Sequence, residues 1–281
     1  MTDSSELRPF RISRKVQIAK DIHWMELRAE DGAPLAPFTA GAHLPIQVPN
    51  GSMRQYSLCS PPDVSDSYAI AVKREANGRG GSISLVDGVA EDSTILAGEP
   101  RNLFALTEKA KSFILVAGGI GITPMMAMIH ALRSEGMRPF KLYYLTRDEE
   151  STAFAEELRS PELAGRVVIH HDHGNPSQSL DLWSVFEKPV SGGHVYCCGP
   201  QGLMDAVRDM TGHWPDSAIH FESFGADTRP HADDQPFDIE LARSGCTLHV
   251  EVGQTMLQVL HLNKVPVPSS CESGTCGSCK V

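Results

Sequence analysis

Positive charge is scarce in this 281-residue sequence: 25 lysines and arginines stand against 35 aspartates and glutamates, a formal net charge of -10. Such a surface repels polyanions, which argues against nucleic acid and anionic membranes as partners. Also missing is any apolar run in the N-terminal MTDSSELRPFRISRK that could act as a secretion signal, so a cytoplasmic location is expected. In that reducing setting the seven cysteines are expected to be thiols or metal ligands rather than disulfides. There is no internal repeat and no low-complexity tract, and a hydrophobic share of 41% with 21% charged residues excludes disordered and fibrous classes. The segment Phe113 to Ile129 lacks charge and approaches the length of a membrane span, but Gly118, Gly119, Gly121, Thr123 and Pro124 occupy its middle. Strand, tight turn and helix start explain that pattern better than one long helix.

Length alone suits two domains and part of a third. Over residues 1–106, short β-like runs alternate with turn residues: FRISRKVQIAK, WMELRAE, HLPIQVP, RQYSLCS, SYAIAVKRE and NLFAL. They predict a small antiparallel β-barrel with one short helix near Ser82 to Val86. Over residues 107–226 apolar strands alternate with amphipathic segments: FILVAGG, FKLYYLT, RVVIHHD, HVYCCG and AIHFES against PMMAMIHALRSEG, STAFAEELRS, the stretch around Leu182, and PQGLMDAVRDM. That order predicts an α/β doubly wound parallel sheet. A polar linker at 227–235 comes next, and 236–281 reads as a hairpin turning at Ser244 and Gly245, a short helix QTMLQVLHLN, and SSCESGTCGSCKV.

Ligands of open parallel sheets bind beyond the carboxyl ends of the strands. Gly118 to Gly121, Thr146 to Arg147, His170 to His173, Cys198 to Pro200 and Glu222 to Phe224 each come after a predicted strand there. GGIGITP departs from the dinucleotide fingerprint by placing Pro124 at the third glycine position. Gly119 and Gly121 would let backbone approach a pyrophosphate, and Pro124 would open a helix whose free N–H groups favour an anion; a glycine turn made for packing explains the motif as well. In the barrel, Arg54 and Tyr56 share one strand face with Ser57 beside them, a guanidinium for phosphate and a ring for a flat cofactor, although an exposed strand would also account for them. GRGGSIS, Gly78 to Ser84, is a second candidate phosphate cradle or else a loop tip.

The most specific pattern is Cys271, Cys276 and Cys279, whose C-x4-C-x2-C spacing is that of plant-type [2Fe-2S] ferredoxins; zinc sites want a second C-x2-C pair or histidines. Cys59, Cys197 and Cys246 read as small core residues. The run His170, His171, Asp172, His173 reads as a solvated segment rather than a metal site, because neighbours on a strand point to opposite faces.

Taken in order, RQYSL, GRGGS, GGIGITPM, YCCGP, HFESFG and CESGTCGSC resemble the phthalate dioxygenase reductase family, which includes vanillate demethylase reductases, over essentially the whole chain. The resemblance implies an FMN barrel, an NADH domain and a β-grasp ferredoxin domain holding [2Fe-2S], of which 236–281 would be the N-terminal part. It places Arg54, Gln55, Tyr56, Ser57, Val72, Lys73, Gly80, Gly81, Ser82 and Ser84 at FMN, with Phe224 covering the flavin. Gly119, Ile120, Gly121, Thr123, Pro124, Thr146, Arg147, Cys198, Gly199 and Pro200 fall around NADH. Plant-type sites use a fourth cysteine well downstream, and this sequence stops two residues after Cys279. This form of the chain is therefore expected to pass electrons no further than its flavin.

The activity implied by the resemblance is that of an oxidoreductase in which NADH gives a hydride, FMN mediates, [2Fe-2S] takes single electrons, and a Rieske-type aromatic-ring oxygenase or demethylase receives them from a monomeric reductase. Ser57, Thr123 and Cys198 are expected to position the reacting rings, with no general acid, base or nucleophile among the matched residues. Asp148, Glu149 and Glu150 after Arg147 disfavour a 2'-phosphate, hence NADH over NADPH. The rivals are an NADPH-dependent flavin or ferredoxin reductase with another acceptor, and a non-catalytic binding module on the same fold.

Overall fold

The computed structural model describes residues 7–225 and 234–267, which fall into two compact units, one running to Ser223 and one from Phe224 onward. In the first unit, β1 (Arg8–Ala19), β2 (Ile22–Ala29), β3 (Ala42–Gln47), β4 (Met53–Ser57), β5 (Tyr68–Lys73) and β6 (Thr94–Ala97) form an antiparallel sheet ordered β4-β3-β6-β1-β2-β5, with β7 (Arg101–Asn102) on β3. A Leu58–Ile70 bridge and a bond from the Cys59 N–H to the Ala69 carbonyl, 2.8 Å, join the two ends into a barrel. Alternation fills it: Ile12, Met25, Leu27, Leu44, Ile46, Ile70 and Val72 point into one core. Helix α1 (Gly81–Gly88) covers an end, buries Leu85 and Val86, and matches the predicted short helix.

One expectation here is corrected: NLFAL is not a strand, since only Arg101 and Asn102 pair, whereas the TILA segment, not among the expected strands, forms β6. The Asn102 side chain donates to the carbonyls of Thr39 and Ala40 and accepts from the Phe104 N–H, which turns the chain out of the sheet.

The same unit holds a five-stranded parallel sheet, β8 (Ser112–Gly118), β9 (Phe140–Thr146), β10 (Val167–His171), β11 (Gly193–Cys198) and β12 (Ile219–Glu222), in the order β10-β9-β8-β11-β12. The chain leaves β8 toward β9 on one side, while β11 and β12 lie on the other, so the switch point is between β8 and β11. Strand β8 is nearly uniform in apolar residues because both its faces are covered. Helix α2 (Ile122–Ser134) begins two residues before Pro124, which sits in the first turn where its missing N–H is unused. STAFAEELRS is not an amphipathic helix but a single turn, α3 (Ala155–Leu158); Ser160 is extended ahead of Pro161, as a residue before proline prefers. The stretch after Leu182 is likewise one turn, α4 (Trp183–Phe186), and α5 (Gln201–Met210) is amphipathic, burying Met204 and Val207.

In the second unit, β13 (Phe237–Leu241) and β14 (Cys246–Val250) form the predicted hairpin, with Gly245 at φ 66 in its turn. Helix α6 (Met256–Leu262) opens on a capping box between Thr255 and Gln258, and Leu248, Val250, Val259 and Leu260 form a small core. Cys246 is exposed at the start of β14, contrary to its reading as a core residue; Cys59 and Cys197 are buried as expected.

Candidate functional site

Glycine decides how the loops at the switch point are built. A Cβ on Gly121 would lie 2.1 Å from the Cys198 carbonyl oxygen, and one on Gly118 would lie 2.6 Å from the Pro200 ring. A Cβ on Gly199 would in turn meet the Gly118 nitrogen at 2.9 Å. The turns after β8 and β11 are thus pressed together backbone to backbone, which only glycines allow. For Gly121 the packing explanation of GGIGITP holds. Gly119 differs: it has φ 52, and a Cβ there would meet nothing within 4 Å, so its backbone borders open space.

Around that turn the predicted residues differ in what they offer. Thr123 is buried and donates its hydroxyl to the Ile120 carbonyl, 3.0 Å, tying the turn to α2. Pro124 is buried within α2, and Ile120 is half-buried. Cys198 is fully buried, and burial drives its thiol far above the ordinary range, so it stays a neutral thiol. At the end of β9, Thr146 is buried in a network with Thr152, 2.9 Å, and the His171 Nδ1, 2.8 Å, which commits its hydroxyl to structure. Arg147 is exposed beside it. Asp148 caps the next turn by accepting from the Ser151 N–H, 2.8 Å. Glu149 is clasped by both ends of the Arg159 guanidinium and approached by His171, which holds its carboxyl down to about 2.

The histidine run is not a solvated loop throughout. His170 and His171 lie on β10, each ring bonded, the first to the Gln178 carbonyl at 2.6 Å. Among the described residues no cluster of histidine, cysteine or carboxylate is arranged to hold a metal ion. Cys271, Cys276 and Cys279 lie outside the described residues.

On the barrel, Arg54 and the start of α1 form a second constellation. Gly80 stands at φ 80 as the residue before the helix, and a Cβ on Gly81 would lie 2.6 Å from Arg54 Nε. The arginine stem therefore fills the space beside Gly81 at the first turn of the helix, with its Nη1 donating to the Met53 carbonyl, 2.7 Å. A guanidinium beside a helix N-terminus suits a phosphate. The Ser82 and Ser84 hydroxyls accept from the N–H groups of Glu75 and Asn50, at 3.1 and 2.8 Å, and fix the loops flanking this cradle. The Val72 side chain is in the barrel core, which leaves only its backbone to meet a ligand. Lys73 is exposed and paired with Glu75 at 2.9 Å, and Gln55 is half-buried on β4. Tyr56 packs against the core, and burial pushes its phenol up to about 12. Phe224, in the second unit, is 44% exposed.

Glu222, which the sequence places at the ligand edge without a role, gains a partner in the structure. Ser57 is buried and donates to Glu222 Oε2 at 3.3 Å, joining the last residue of β4 to the last residue of β12. Burial raises the Glu222 carboxyl to about 7, the Ser57 bond opposing it only partly. Glu222 is not among the site residues that the resemblance assigns, and a buried carboxyl with its pKa raised toward neutrality sits at the carboxyl edge of the sheet. Its signal in the sequence is a glutamate ending the otherwise uncharged run AIHFE.

A small barrel joined through a buried serine to the edge strand β12 of a parallel sheet, whose switch point lies one strand away, is an arrangement that suits a reductase coupling a barrel-bound cofactor to a nucleotide. Residues 115–209 match the oxidoreductase NAD-binding domain family and 239–281 the 2Fe-2S iron-sulfur cluster binding domain family. The phthalate dioxygenase reductase of Burkholderia cepacia is 57% identical over 270 residues, covering 96% of this chain and 84% of the relative. A vanillate O-demethylase oxidoreductase from Pseudomonas is 37% identical over 95% of this chain and 85% of its own. The solved structure of phthalate dioxygenase reductase superposes with a TM-score of 0.83 at 56% identity, over 97% of this chain and 85% of that one. The chain belongs to the phthalate dioxygenase reductase family, and it is an NADH-dependent iron-sulfur flavoprotein reductase. Several of its relatives are, by their names, reductases of oxygenase and demethylase systems. Among the described residues no helix is long and apolar enough to cross a membrane.

Proposed function

We propose that this chain takes up electrons from NADH on the route to a Rieske-type aromatic-ring oxygenase or demethylase, acting as a cytoplasmic monomer in which the residues above take specific roles. The observation that carries the reading is the Ser57–Glu222 bond, which brings the end of the barrel strand and the end of the sheet strand to one point. Arg54, with the N-terminus of α1 at Gly80, Gly81 and Ser82, holds the FMN phosphate, and Tyr56 flanks the ring. Gln55, Val72, Lys73 and Ser84 complete that side of the site. Gly119, Ile120 and Gly121 with Cys198, Gly199 and Pro200 receive NADH, Thr123 and Pro124 shaping the turn and Thr146 and Arg147 bordering the adenosine end. Bound FMN supplies the exchange between a two-electron hydride donor and one-electron carriers.

The remaining chemistry belongs to the chain itself. Ser57 orients the reacting edge, and its partner Glu222 holds or releases a proton at Oε2 near neutral pH. Cys198, kept neutral by burial, fills space beside the nicotinamide without competing as a nucleophile. Cys271, Cys276 and Cys279 are assigned to the cluster on the chemistry of three thiolates at ferredoxin spacing. The test is anaerobic titration of the FMN-loaded protein with NADH, with transfer assays on oxygenases of several aromatic substrates. Stoichiometric bleaching of the flavin by NADH is expected; a chain that binds no FMN, or is reduced equally well by NADPH, refutes the assignment.

A further inference from the structure

His43 is the buried polar side chain at this junction that the roles above leave unused. It is only 5% exposed, and its Nε2 has no hydrogen-bond partner among the described residues. Its place is set by register. On β3 the alternate residues Ala42, Leu44 and Ile46 fill the barrel core, so His43 projects from the opposite face. Directly across on β4 stands Ser57, and across on β7 stands Arg101. Opposed residues in an antiparallel pair share a face with their Cβ atoms about 5 Å apart, so His43 faces the same way as the Ser57 hydroxyl that meets Glu222. Desolvation, with the Arg101 charge adding to it, lowers the imidazole to about 4, and it remains neutral at working pH. A neutral ring can donate or accept at Nε2 according to its tautomer.

A nitrogen buried without a protein partner among the described residues destabilises the ligand-free protein, since burial takes it from bulk solvent. A phenylalanine would fill the space without that defect. The polar atom is therefore explained by something that arrives later. We propose that His43 is a flavin-contacting residue, its Nε2 making a second side-chain hydrogen bond to the polar edge of the ring served by Ser57. This rests on the FMN assignment above. It adds a residue from a strand that none of the motifs in the sequence includes, and it makes β3 and β4 together, rather than β4 alone, the wall that fixes the ring.

The proposal predicts opposite effects on the empty and the loaded protein. FMN-stripped full-length chain is compared as wild type, His43→Phe and His43→Gln, the glutamine returning an amide nitrogen near the place of Nε2. Stripped His43→Phe should melt no lower than stripped wild type, while its dissociation constant for FMN rises roughly tenfold, the loss expected for one hydrogen bond. Its bound flavin should show a displaced visible absorption band. His43→Gln should recover most of the affinity and the wild-type band. Wild-type affinity and an unmoved band in His43→Phe overturn the proposal, as does a fall in melting temperature of the stripped variant that His43→Gln shares, which marks a purely structural residue. If wild type itself binds no FMN, the FMN assignment fails first and this contact with it; if Arg54→Ala loses FMN while both His43 variants bind normally, only the contact fails.

Discussion

Two glycine-rich turns in this molecule look alike as sequence and are built on different physics. In GRGGS, Gly81 makes room for a side chain, the stem of Arg54, while in GGIG, Gly121 makes room for the backbone of a neighbouring strand end at Cys198. An arginine can swing aside; a carbonyl locked into β11 cannot. The first turn can thus be damaged without unfolding the protein, and the second cannot. Of these turns' glycines, Gly119 borders open space, and Gly80 meets only the Asn50 side chain at 3.7 Å; both stand at positive φ.

Substitution by alanine separates the two turns, and Gly121→Ala should have the largest effect. With a methyl 2.1 Å from the Cys198 oxygen, the β8 and β11 turns must part. Overpacking against backbone should exceed the usual ~1–3 kcal/mol for added core methylenes, seen as loss of soluble protein or a sharply lowered thermal midpoint. Gly81→Ala displaces only Arg54, so it should keep the wild-type melting curve and lose FMN instead. If Gly121→Ala folds normally, the distinction between the turns is wrong.

Next in size is Arg54→Ala. Losing a charged hydrogen bond to phosphate costs ~1.5–3 kcal/mol, a roughly tenfold to hundredfold weaker FMN complex by fluorescence titration. Undiminished affinity would place the phosphate elsewhere. Glu222→Gln acts at the junction of the two regions. The folded carboxyl titrates at about 7 against an ordinary value of 4.5, so the folded protein binds the extra proton between those values. Stability is therefore highest below pH 4.5 on this account and falls as pH rises toward 7, by at most about 1.4 kcal/mol per unit of pKa difference. The glutamine variant should flatten that slope in melting curves taken across the window. An unchanged slope would mean that Glu222 is ionised in the folded protein.

Much of this is legible in sequence where the pattern is long and repeated. The run FILVAGG reads as a strand covered on both faces because nearly every residue is apolar, and the alternation in FRISRKVQIAK survives a bulge between Ile12 and Arg14. Short elements decided by side-chain bonds are not legible: the end of β7 is set by Asn102 reaching back to Thr39 and Ala40, contacts 63 and 62 residues apart. Site residues inside motifs can be named, since the chemistry of arginine, glycine and serine shows in the letters. Glu222 can be placed at the ligand edge, but its raised pKa cannot be read, and His43 cannot be named at all, because a carboxyl or imidazole becomes notable only when tertiary packing removes its water. The same limit separates Gly119 from Gly121, equal in the motif and opposite in surroundings.

The smallest expected effect concerns the acids beyond β9, the polar counterpart of the glycine turns at the same sheet edge. Glu149 is held at about 2 by Arg159 and His171, so it is fully charged at every working pH. It stands two residues from exposed Arg147, the cation in that stretch able to meet a 2'-phosphate. A fixed negative charge there raises the free energy of NADPH more than that of NADH, but at a solvent-exposed site screening confines the effect to a short range. Glu149→Gln also loosens Arg159, adding a second cation to the neighbourhood. The NADH preference, taken as the ratio of kcat/KM values, should fall by roughly threefold to tenfold, with the change coming from faster use of NADPH. Raising the salt concentration should shrink the difference between variant and wild type, because the interaction is between exposed charges. An unchanged ratio at low salt would show that the adenosine end of the nucleotide does not lie against this strand end.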